Sequence, residues 1–508
     1  MELTLSKQPV SVMETLYDGV VEQPLECDVL LPDHCPDIQK ILRCEVTLAL
    51  LSWNIQGERA TLDGIAAAHL YYTDEQGILR HAEYKIPYSK TLELRSEPVK
   101  PAVDITQSVD YFNCRAVSPR RLDMRGAASI HCRVIGQNEE QVVCGAQGMG
   151  AQLRQETVDM VHLLPSSPSR TDLHEEAELG YGKPPIGEVI RLSASARVTD
   201  YKVVPGKIVL KGEATVHILY RCDEDETLLE TMEYTLPVSQ VVDVDGLDED
   251  CDCTVWYEIC DAAAQPKRSD TGENTLLALD VSLNAMAQIC KRTPLEAACD
   301  CYSTEYECRQ EQKQIPFLEA LGPVSEPYTV KETMDAGSVK AVVDVWCVSG
   351  PVTTHNEADA VTVSGKMLFC MLARNQDGEL FYSEQPKEYT KKLALPRTCD
   401  NVQFSPRTQA DGASYTMSGP QIEIRCNVQI SGEMYGRRNK QLLCGIEIDP
   451  SRKKERSNNM LYLYFTAGQE SLWDVAKRYN TSVEAIQKCN AAENLASGEK
   501  NMLLIPMQ

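Results

Sequence analysis

Two segments of the chain carry cysteines at the same spacing and are the first candidates for chemistry. CDCTVWYEIC at 251–260 and CDCYSTEYEC at 299–308 both read Cys-x-Cys-x6-Cys. In a β-strand, residues two apart face the same side of the sheet, so the first two thiols of each segment would point the same way. Two such pairs could bind zinc in a tetrahedral thiolate site. The metal-ligand candidates are Cys251, Cys253, Cys299 and Cys301.

Three interpretations of these cysteines are open. The favoured one is that they fill small apolar positions in buried strands, because free cysteine behaves as a small core residue. Cross-linking under oxidising conditions ranks second. Zinc ranks last, because the Cys-x2-Cys pair typical of structural zinc sites is absent. The chain has 20 cysteines in 508 residues, and no secretory signal is recognised, so the thiols are expected to be reduced.

No other pattern indicates catalysis. The sequence has no Gly-x-Ser-x-Gly elbow, no phosphate-binding loop and no His-Glu-x-x-His pair, and its eight histidines are scattered. We therefore predict a protein that is not an enzyme and needs no cofactor.

The charge and hydropathy of the chain limit its partners and its location. A net charge of −25 argues against nucleic acid and anionic membrane surfaces, which both attract basic patches. No apolar run approaches the roughly 18 residues of a membrane span, so direct membrane insertion is not expected. Lys7 is not followed by an apolar signal segment. We predict a chain that stays in the cytoplasm.

A repeat of about 150 residues runs through most of the chain. PDIQKILR at 36–43 parallels PPIGEVIR at 184–191, and the same offset of 148 places Gly64 opposite Gly212. A third copy centres on Gly365, 153 residues further on. Internal repetition at a fixed long period is typical of tandem structural units. The glycines are interpreted as structural positions, at bulges or tight bends where strands approach closely.

Each copy alternates apolar and polar residues with period two, and its strands are separated by turn residues. This pattern predicts a mainly β fold of tandem antiparallel sandwich-like or barrel-like repeats. The predicted parts are a first β domain at 1–160, a linker at 161–185, a second β domain at 186–312, a third at 313–449, a basic linker at 450–460 and a terminal domain at 461–508.

The terminal domain has a different pattern. A short strand, LYLYF at 461–465, precedes a helix that begins at Ser471, with apolar residues at i, i+3, i+4 and i+7. Thr481 and Glu484 form a capping box for a second helix. The strand MLLIP then closes a small α+β unit in the order strand, helix, helix, strand.

This unit resembles a LysM domain, a fold that usually holds N-acetylglucosamine polymers. The chain departs from the family pattern at Gln469-Glu470, where the family has one acidic residue. The resemblance implies a sugar groove formed by this turn and by the loop after the second helix. The residues that match the family pattern are Gly468, Ser471, Leu472, Trp473, Ala476, Tyr479, Asn480, Thr481, Ser482, Ile486, Asn490, Leu503, Ile505 and Pro506.

The terminal domain and the basic run SRKKER at 451–456 supply the candidate partner-binding residues. Trp473 lies one helical step from the apolar face, so it either covers the rim of the core or anchors a partner. The basic run either is a solvated linker or steers an acidic partner. The candidates are Trp473, Leu461, Gly468, Gln469, Glu470, Asn490, Lys453 and Lys454.

Tandem β repeats of this size that end in a LysM domain resemble the SPOCS (spore coat-associated) family of coat morphogenetic proteins. The resemblance implies a scaffold in the mother-cell cytoplasm that is recruited to the forespore surface and spore coat. Its LysM domain would bind the coat morphogenetic ATPase, and its repeats would bind other coat proteins. The cysteines could then cross-link late in coat assembly. The alternative is a protein that binds peptidoglycan glycan in cortex or wall.

Overall fold

The chain is almost entirely β-strand up to its terminal domain. The computed structural model describes residues 2–270, 272–335, 337–399, 401–419, 421–455, 460–466, 470–490 and 502–506. The elements are β1 (Thr4–Leu30), β2 (Lys40–Gln56), β3 (Arg59–Thr73), β4 (Leu79–Glu93), β5 (Ala102–Ser118), β6 (Arg121–Gln147), β7 (Ala151–Leu164), β8 (Ser169–Glu178), β9 (Ile186–Val204), β10 (Lys207–Cys222), β11 (Leu229–Asp243), β12 (Asp252–Lys267), β13 (Leu276–Ser303), β14 (Tyr306–Asp335), β15 (Val339–Asn356), β16 (Ala360–Asn375), β17 (Leu380–Ala394), β18 (Val402–Phe404), β19 (Arg407–Ser418), β20 (Gln421–Lys453), β21 (Leu461–Phe465), α1 (Leu472–Arg478), α2 (Val483–Cys489) and β22 (Met502–Pro506).

Three repeats each fold as a sandwich of two three-stranded antiparallel sheets. The sheets are β2-β3-β4 and β1-β6-β5 in repeat 1, β9-β10-β11 and β8-β13-β12 in repeat 2, and β15-β16-β17 and β14-β20-β19 in repeat 3. Alternate side chains point between the two sheets, as Leu25, Ala66 and Ala128 do in repeat 1. The predicted mainly β fold with sandwich-like repeats is confirmed.

The glycines that mark the sequence repeat sit at close approaches, as expected. Opposite Gly64, Gly212 and Gly365, the neighbouring strand has a register shift typical of a bulge. A Cβ atom would lie 2.3 Å from the Tyr88 ring at Gly64 and 2.4 Å from the Tyr389 hydroxyl at Gly365. Only glycine fits well at these positions, because a tyrosine ring or a backbone carbonyl occupies the space that a Cβ atom would need.

The first and last strands of the repeats continue beyond the sandwiches and pack together as a central stem. The stem consists of three antiparallel ribbons, which pair residues 4–15 with 135–147, 151–164 with 289–303, and 306–320 with 435–453. Apolar residues from all three ribbons form its core: Val10, Val12, Val142, Val158, Met160, Leu295, Ala297, Ile315, Phe317 and Leu442. The three repeats therefore share one hydrophobic core in the stem, and each repeat contributes apolar side chains to it.

The prediction that 161–185 is a linker is wrong. The segment includes the end of β7, which pairs with β13 in the stem, and all of β8, which is an edge strand of repeat 2. An edge strand buries only one side, and β8 does so mainly through Ala177 and the half-buried Leu173, so its alternation is weak in the sequence. The predicted linker at 450–460 also begins inside a strand, because β20 continues to Lys453.

Besides the stem, the repeats meet at a second place, which we call the repeat junction. Arg191 of repeat 2 lies between Glu45 of repeat 1, at 3.7 Å, and Asp344 of repeat 3, at 3.5 Å. Its guanidinium is 4.2 Å from the centre of the Trp346 ring, and His217 contacts Asp344 at 3.0 Å. One buried cation thus joins side chains from all three repeats.

Candidate functional site

The terminal domain is a compact unit of two strands and two short helices. Ser471 caps α1 by accepting a hydrogen bond from the Asp474 backbone N–H at 3.2 Å, as predicted. The second cap differs from the prediction, because α2 is capped by Ser482 while Thr481 is buried. Asn490 fixes the closing strand by two 2.7 Å hydrogen bonds with the Leu504 backbone.

The α1 helix packs against the turn between β13 and β14 at the edge of the central stem. The Trp473 indole N–H donates to Asp300 Oδ2 at 2.7 Å, and Lys477 contacts both carboxylate oxygens of Asp300 at 2.6 and 2.8 Å. The Trp473 ring meets Tyr302 edge to face, with centroids 4.9 Å apart. We call this contact the LysM–stem interface.

A second set of contacts extends the LysM–stem interface along the turn. The Tyr302 hydroxyl donates to the Thr481 carbonyl at 2.7 Å. Lys454 donates to the Ser303 carbonyl at 2.8 Å and to the Asn480 side chain at 2.6 Å. Lys454, in the predicted basic linker, therefore clamps the terminal domain to the stem.

The charges at the interface shift the pKa values of its ionisable groups. Burial acts to raise the pKa of Asp300, but hydrogen bonds from Lys477, Trp473 and Gln310 outweigh it and lower the pKa below the usual value. Burial lowers the pKa of Lys454. The Asp300 carboxylate is therefore the ionised centre of the interface.

The outer face of the terminal sheet is apolar and open to solvent. Leu463 and Phe465 of β21 are 61% and 71% exposed, and Leu461 and Met502 are about half exposed. Met502 is directly opposite Phe465 in the β21–β22 pair. On the other side of β21, Tyr462 and Tyr464 pack against Tyr479. We call the exposed set Leu461, Leu463, Phe465 and Met502 the outer apolar face.

Comparison with protein families identifies two parts of the chain. Residues 469–499 match the LysM domain. Residues 185–266, which span β9 to β12 of repeat 2, match the family described as SipL, SPOCS domain. The chain thus carries one segment that matches the SPOCS domain and one that matches the LysM domain. A search of curated proteins and a search of solved structures found no match.

The two families describe what kind of protein this is. The SPOCS match associates the chain with sporulation, and LysM domains are typical glycan-binding modules. Both are binding domains rather than catalytic ones. Neither α1 nor α2 is long or apolar enough to cross a bilayer, and the described residues contain no other helix.

The predicted partner-binding residues lie in separate places. Trp473 and Lys454 lie in the LysM–stem interface, whereas Leu461 and Lys453 are exposed. Glu470 contacts Arg478 at 2.7 Å within the LysM domain, where Asn490 is also engaged. Gly468 and Gln469 are outside the described residues. Asp300 and Tyr302, which contact Trp473, were not predicted from the sequence.

The two cysteine pairs do not meet. Cys253 pairs with Ile289 of β13, and Cys301 lies twelve residues further along that strand, which corresponds to about 40 Å. The proposed site shared by Cys251, Cys253, Cys299 and Cys301 is therefore wrong. Among the residues that the structure describes, no three His, Cys, Asp or Glu side chains are grouped so that they could hold a metal ion.

Side chains from all three repeats also enclose a cavity of about 60 Å³ that the sequence did not indicate. Its lining includes Asp104 of repeat 1, Trp256 of repeat 2 and Arg407 of repeat 3. Arg407 forms a salt bridge with Asp104 and lies 3.8 Å from the centre of the Trp256 ring. Glu433 also lines the cavity; it is 3% exposed, and its Oε1 atom has no hydrogen-bond partner.

Glu433 should make the stability of the protein depend on pH. Burial raises the pKa of Glu433 to about 7, and the nearby Asp252 adds to the rise. Between pH about 4.5 and 7, the unfolded chain loses a proton that the folded chain keeps, so the free energy of unfolding falls as pH rises. Glu433→Gln should therefore be more stable than the wild type at pH 8, by about 2–3 kcal/mol.

Urea unfolding of both proteins from pH 4 to pH 8 measures this difference. Glu447→Gln, which changes an exposed glutamate of the same strand, is the matched control and should follow the wild type at every pH. Parallel pH profiles for wild type and Glu433→Gln would show that the pKa of Glu433 is the same in the folded and unfolded chains.

Proposed function

We propose that this protein is a non-enzymatic scaffold of spore coat assembly. In this proposal it works in the mother-cell cytoplasm and is recruited to the forespore surface. Its LysM domain docks onto the coat morphogenetic ATPase, and its repeats recruit other coat proteins. The observation that carries the proposal is the joining, in one chain, of a sporulation-associated domain to a LysM domain with an exposed apolar face.

The outer apolar face supports a protein as the partner of the LysM domain. A contiguous apolar surface rimmed by polar groups is typical of protein interfaces, whose buried centre is poor in charge. Leu461, a predicted partner-binding residue, belongs to this face. Lys453 lies close to it in sequence and is exposed, so it can help to attract an acidic partner.

Removal of the LysM domain should abolish capture of the coat ATPase from a sporulating lysate, while the repeats stay folded. Within the full chain, Phe465→Glu should weaken capture about tenfold or more, because it puts a charge on the most exposed side chain of the apolar contact. Val20→Glu, which places a charge on an equally exposed apolar position of repeat 1, should have no effect. Capture that survives both deletion of residues 459–508 and Phe465→Glu would refute the docking role.

The second candidate function is binding of peptidoglycan in cortex or wall, which the LysM match favours. Sedimentation with insoluble peptidoglycan separates the two candidates. Under the scaffold proposal, the full chain stays in the supernatant. Retention on peptidoglycan that is lost on Trp473→Glu, together with failure to capture any coat protein, would favour the alternative.

A further inference from the structure

Two thiols meet beneath the LysM–stem interface. The Sγ atoms of Cys301 and Cys308 are 3.5 Å apart across the turn that joins β13 to β14. Ser303 holds this turn by accepting hydrogen bonds from the backbone N–H groups of Glu305 and Tyr306, both at 3.0 Å. A disulfide needs a separation of about 2.05 Å, so the gap can close through small side-chain rotations.

We propose that Cys301 and Cys308 are a redox-active dithiol that closes to an intramolecular disulfide under the LysM domain. This assignment rests on the turn geometry and on the cations around it, and it is independent of the proposed partner.

The surroundings of the pair favour a thiolate at Cys308. Its hydrogen bond with Cys301 lowers the pKa of Cys308, burial opposes this, and the positive charges of Lys454 and Lys477 lower it further. Cys308 is half-buried, whereas Cys301 is 2% exposed and its pKa is raised by the same hydrogen bond and by burial. A more exposed thiolate near cations is the environment of a reactive cysteine.

The reaction with a small disulfide oxidant, such as oxidised glutathione, proceeds by two exchanges. The Cys308 thiolate attacks one sulfur of the oxidant, forms a mixed disulfide and releases one thiolate. Cys301 then loses its proton to solvent and attacks the Cys308 sulfur, which releases the second thiolate. The two cysteines lose two electrons and two protons in total, and one oxidant molecule is reduced to two thiols.

A second thiol pair in the same chain provides an internal comparison. Cys347 and Cys426 are hydrogen-bonded inside repeat 3, and this bond and burial both raise the pKa of Cys347. Cys426 is 1% exposed. One thiol of each pair is half-buried, but the pKa of that thiol is lowered at Cys308 and raised at Cys347, so the Cys301–Cys308 pair should oxidise first.

Peptide mapping of the full chain after exposure to oxidised glutathione tests the proposal. Cleavage at Arg292 and Arg309 gives one peptide that holds Cys299, Cys301 and Cys308, and cleavage after Glu305 then separates Cys301 from Cys308. The two fragments should stay linked until reduction. The link should be absent from Cys301→Ser and Cys308→Ser and present in Cys299→Ser, while Cys347 and Cys426 remain open to alkylation after denaturation. A link through Cys299, earlier oxidation of Cys347 and Cys426, or no link would overturn the proposal.

The role of the lysine charge has its own test. If Lys454→Met raises the pKa of Cys308 by one unit, the thiolate fraction falls tenfold while its nucleophilicity rises about threefold, so oxidation should be about threefold slower. Lys453→Met changes the neighbouring exposed lysine and should leave the rate unchanged. Unchanged or faster oxidation of Lys454→Met would contradict activation of Cys308 by this cation.

Discussion

Replacing Arg191 with methionine should lower the free energy of unfolding by about 3–5 kcal/mol, because it leaves buried carboxylates without their cation. Arg191 is 6% exposed and Asp344 is 4% exposed, and after the substitution only His217 would remain near the Asp344 charge. Methionine keeps much of the apolar packing against Trp346, so the decrease in the free energy of unfolding should come mainly from the lost charge. Chemical denaturation monitored by tryptophan fluorescence measures the difference.

The chain supplies a matched control at the equivalent position of repeat 1. Arg43 precedes Arg191 by the repeat offset of 148, but it pairs with the partly exposed Glu384 and lies 5.4 Å from the centre of the Tyr382 ring. Arg43→Met should cost about 1 kcal/mol or less, because partly solvated pairs contribute little. Equal effects of the two substitutions would mean that the repeat junction is not a buried charge centre.

Asp344→Asn in the Arg191→Met background should recover part of the lost stability. Arg191→Met leaves the Asp344 carboxylate buried without a cation, which is the main reason why the free energy of unfolding falls. Asp344→Asn removes that charge, so the effects of the two substitutions should be strongly non-additive. Recovery in the double variant would identify the cost as electrostatic, whereas additive losses would assign it to packing.

The sequence predicted what is local and repetitive in this molecule. Gly64, Gly212 and Gly365 recur at a fixed offset, because each repeat needs the same close approach, and period-two alternation marks the strands around them. Tyr72 and Tyr220 also follow the offset of 148, and both hydroxyls donate to the carbonyl of a proline at the start of the repeat, Pro36 or Pro184. The LysM helices could also be predicted, because capping residues and apolar periodicity mark each of them in the sequence.

The contacts between parts of the chain could not be predicted in this way. Trp473 and Asp300 are 173 residues apart, and no local pattern relates one to the other. Arg43 and Arg191 are equivalent in the sequence, yet the packing of three repeats leaves the first partly exposed and buries the second. The stem was missed for the same reason, because a strand that continues from a sandwich into a second core keeps the same alternation in both.

Asp300→Ala should release the LysM domain from the stem. The substitution removes the hydrogen bond from the Trp473 indole N–H and the ion pair with Lys477. Together these two losses should weaken docking of the LysM domain by about 2 kcal/mol, or about 30-fold in the docking equilibrium. Because Asp300 lies outside the LysM domain, the domain itself should stay folded. Hydrogen exchange of the Trp473 indole N–H, followed by NMR with labelled tryptophan, should become faster by a similar factor.

Asp280→Ala is the matched control, because Asp280 is an exposed carboxylate of the same strand that contacts His174 in repeat 2. Its indole exchange should match the wild type. Unchanged exchange in Asp300→Ala would mean that the Tyr302 contacts alone hold the domain.

The same variant also tests the predicted role of Trp473 in partner binding. The Trp473 indole N–H and its contact with Tyr302 are used by the stem, so a partner that needs these parts of Trp473 must bind a chain in which the LysM domain has left the stem. The apparent affinity of such a partner equals its intrinsic affinity multiplied by the fraction of chains in which the LysM domain has left the stem. If Trp473 is an anchor, Asp300→Ala should therefore tighten ATPase capture, by up to about 30-fold. If the outer apolar face acts alone, capture by Asp300→Ala should equal that of the wild type, because this face remains open in both states.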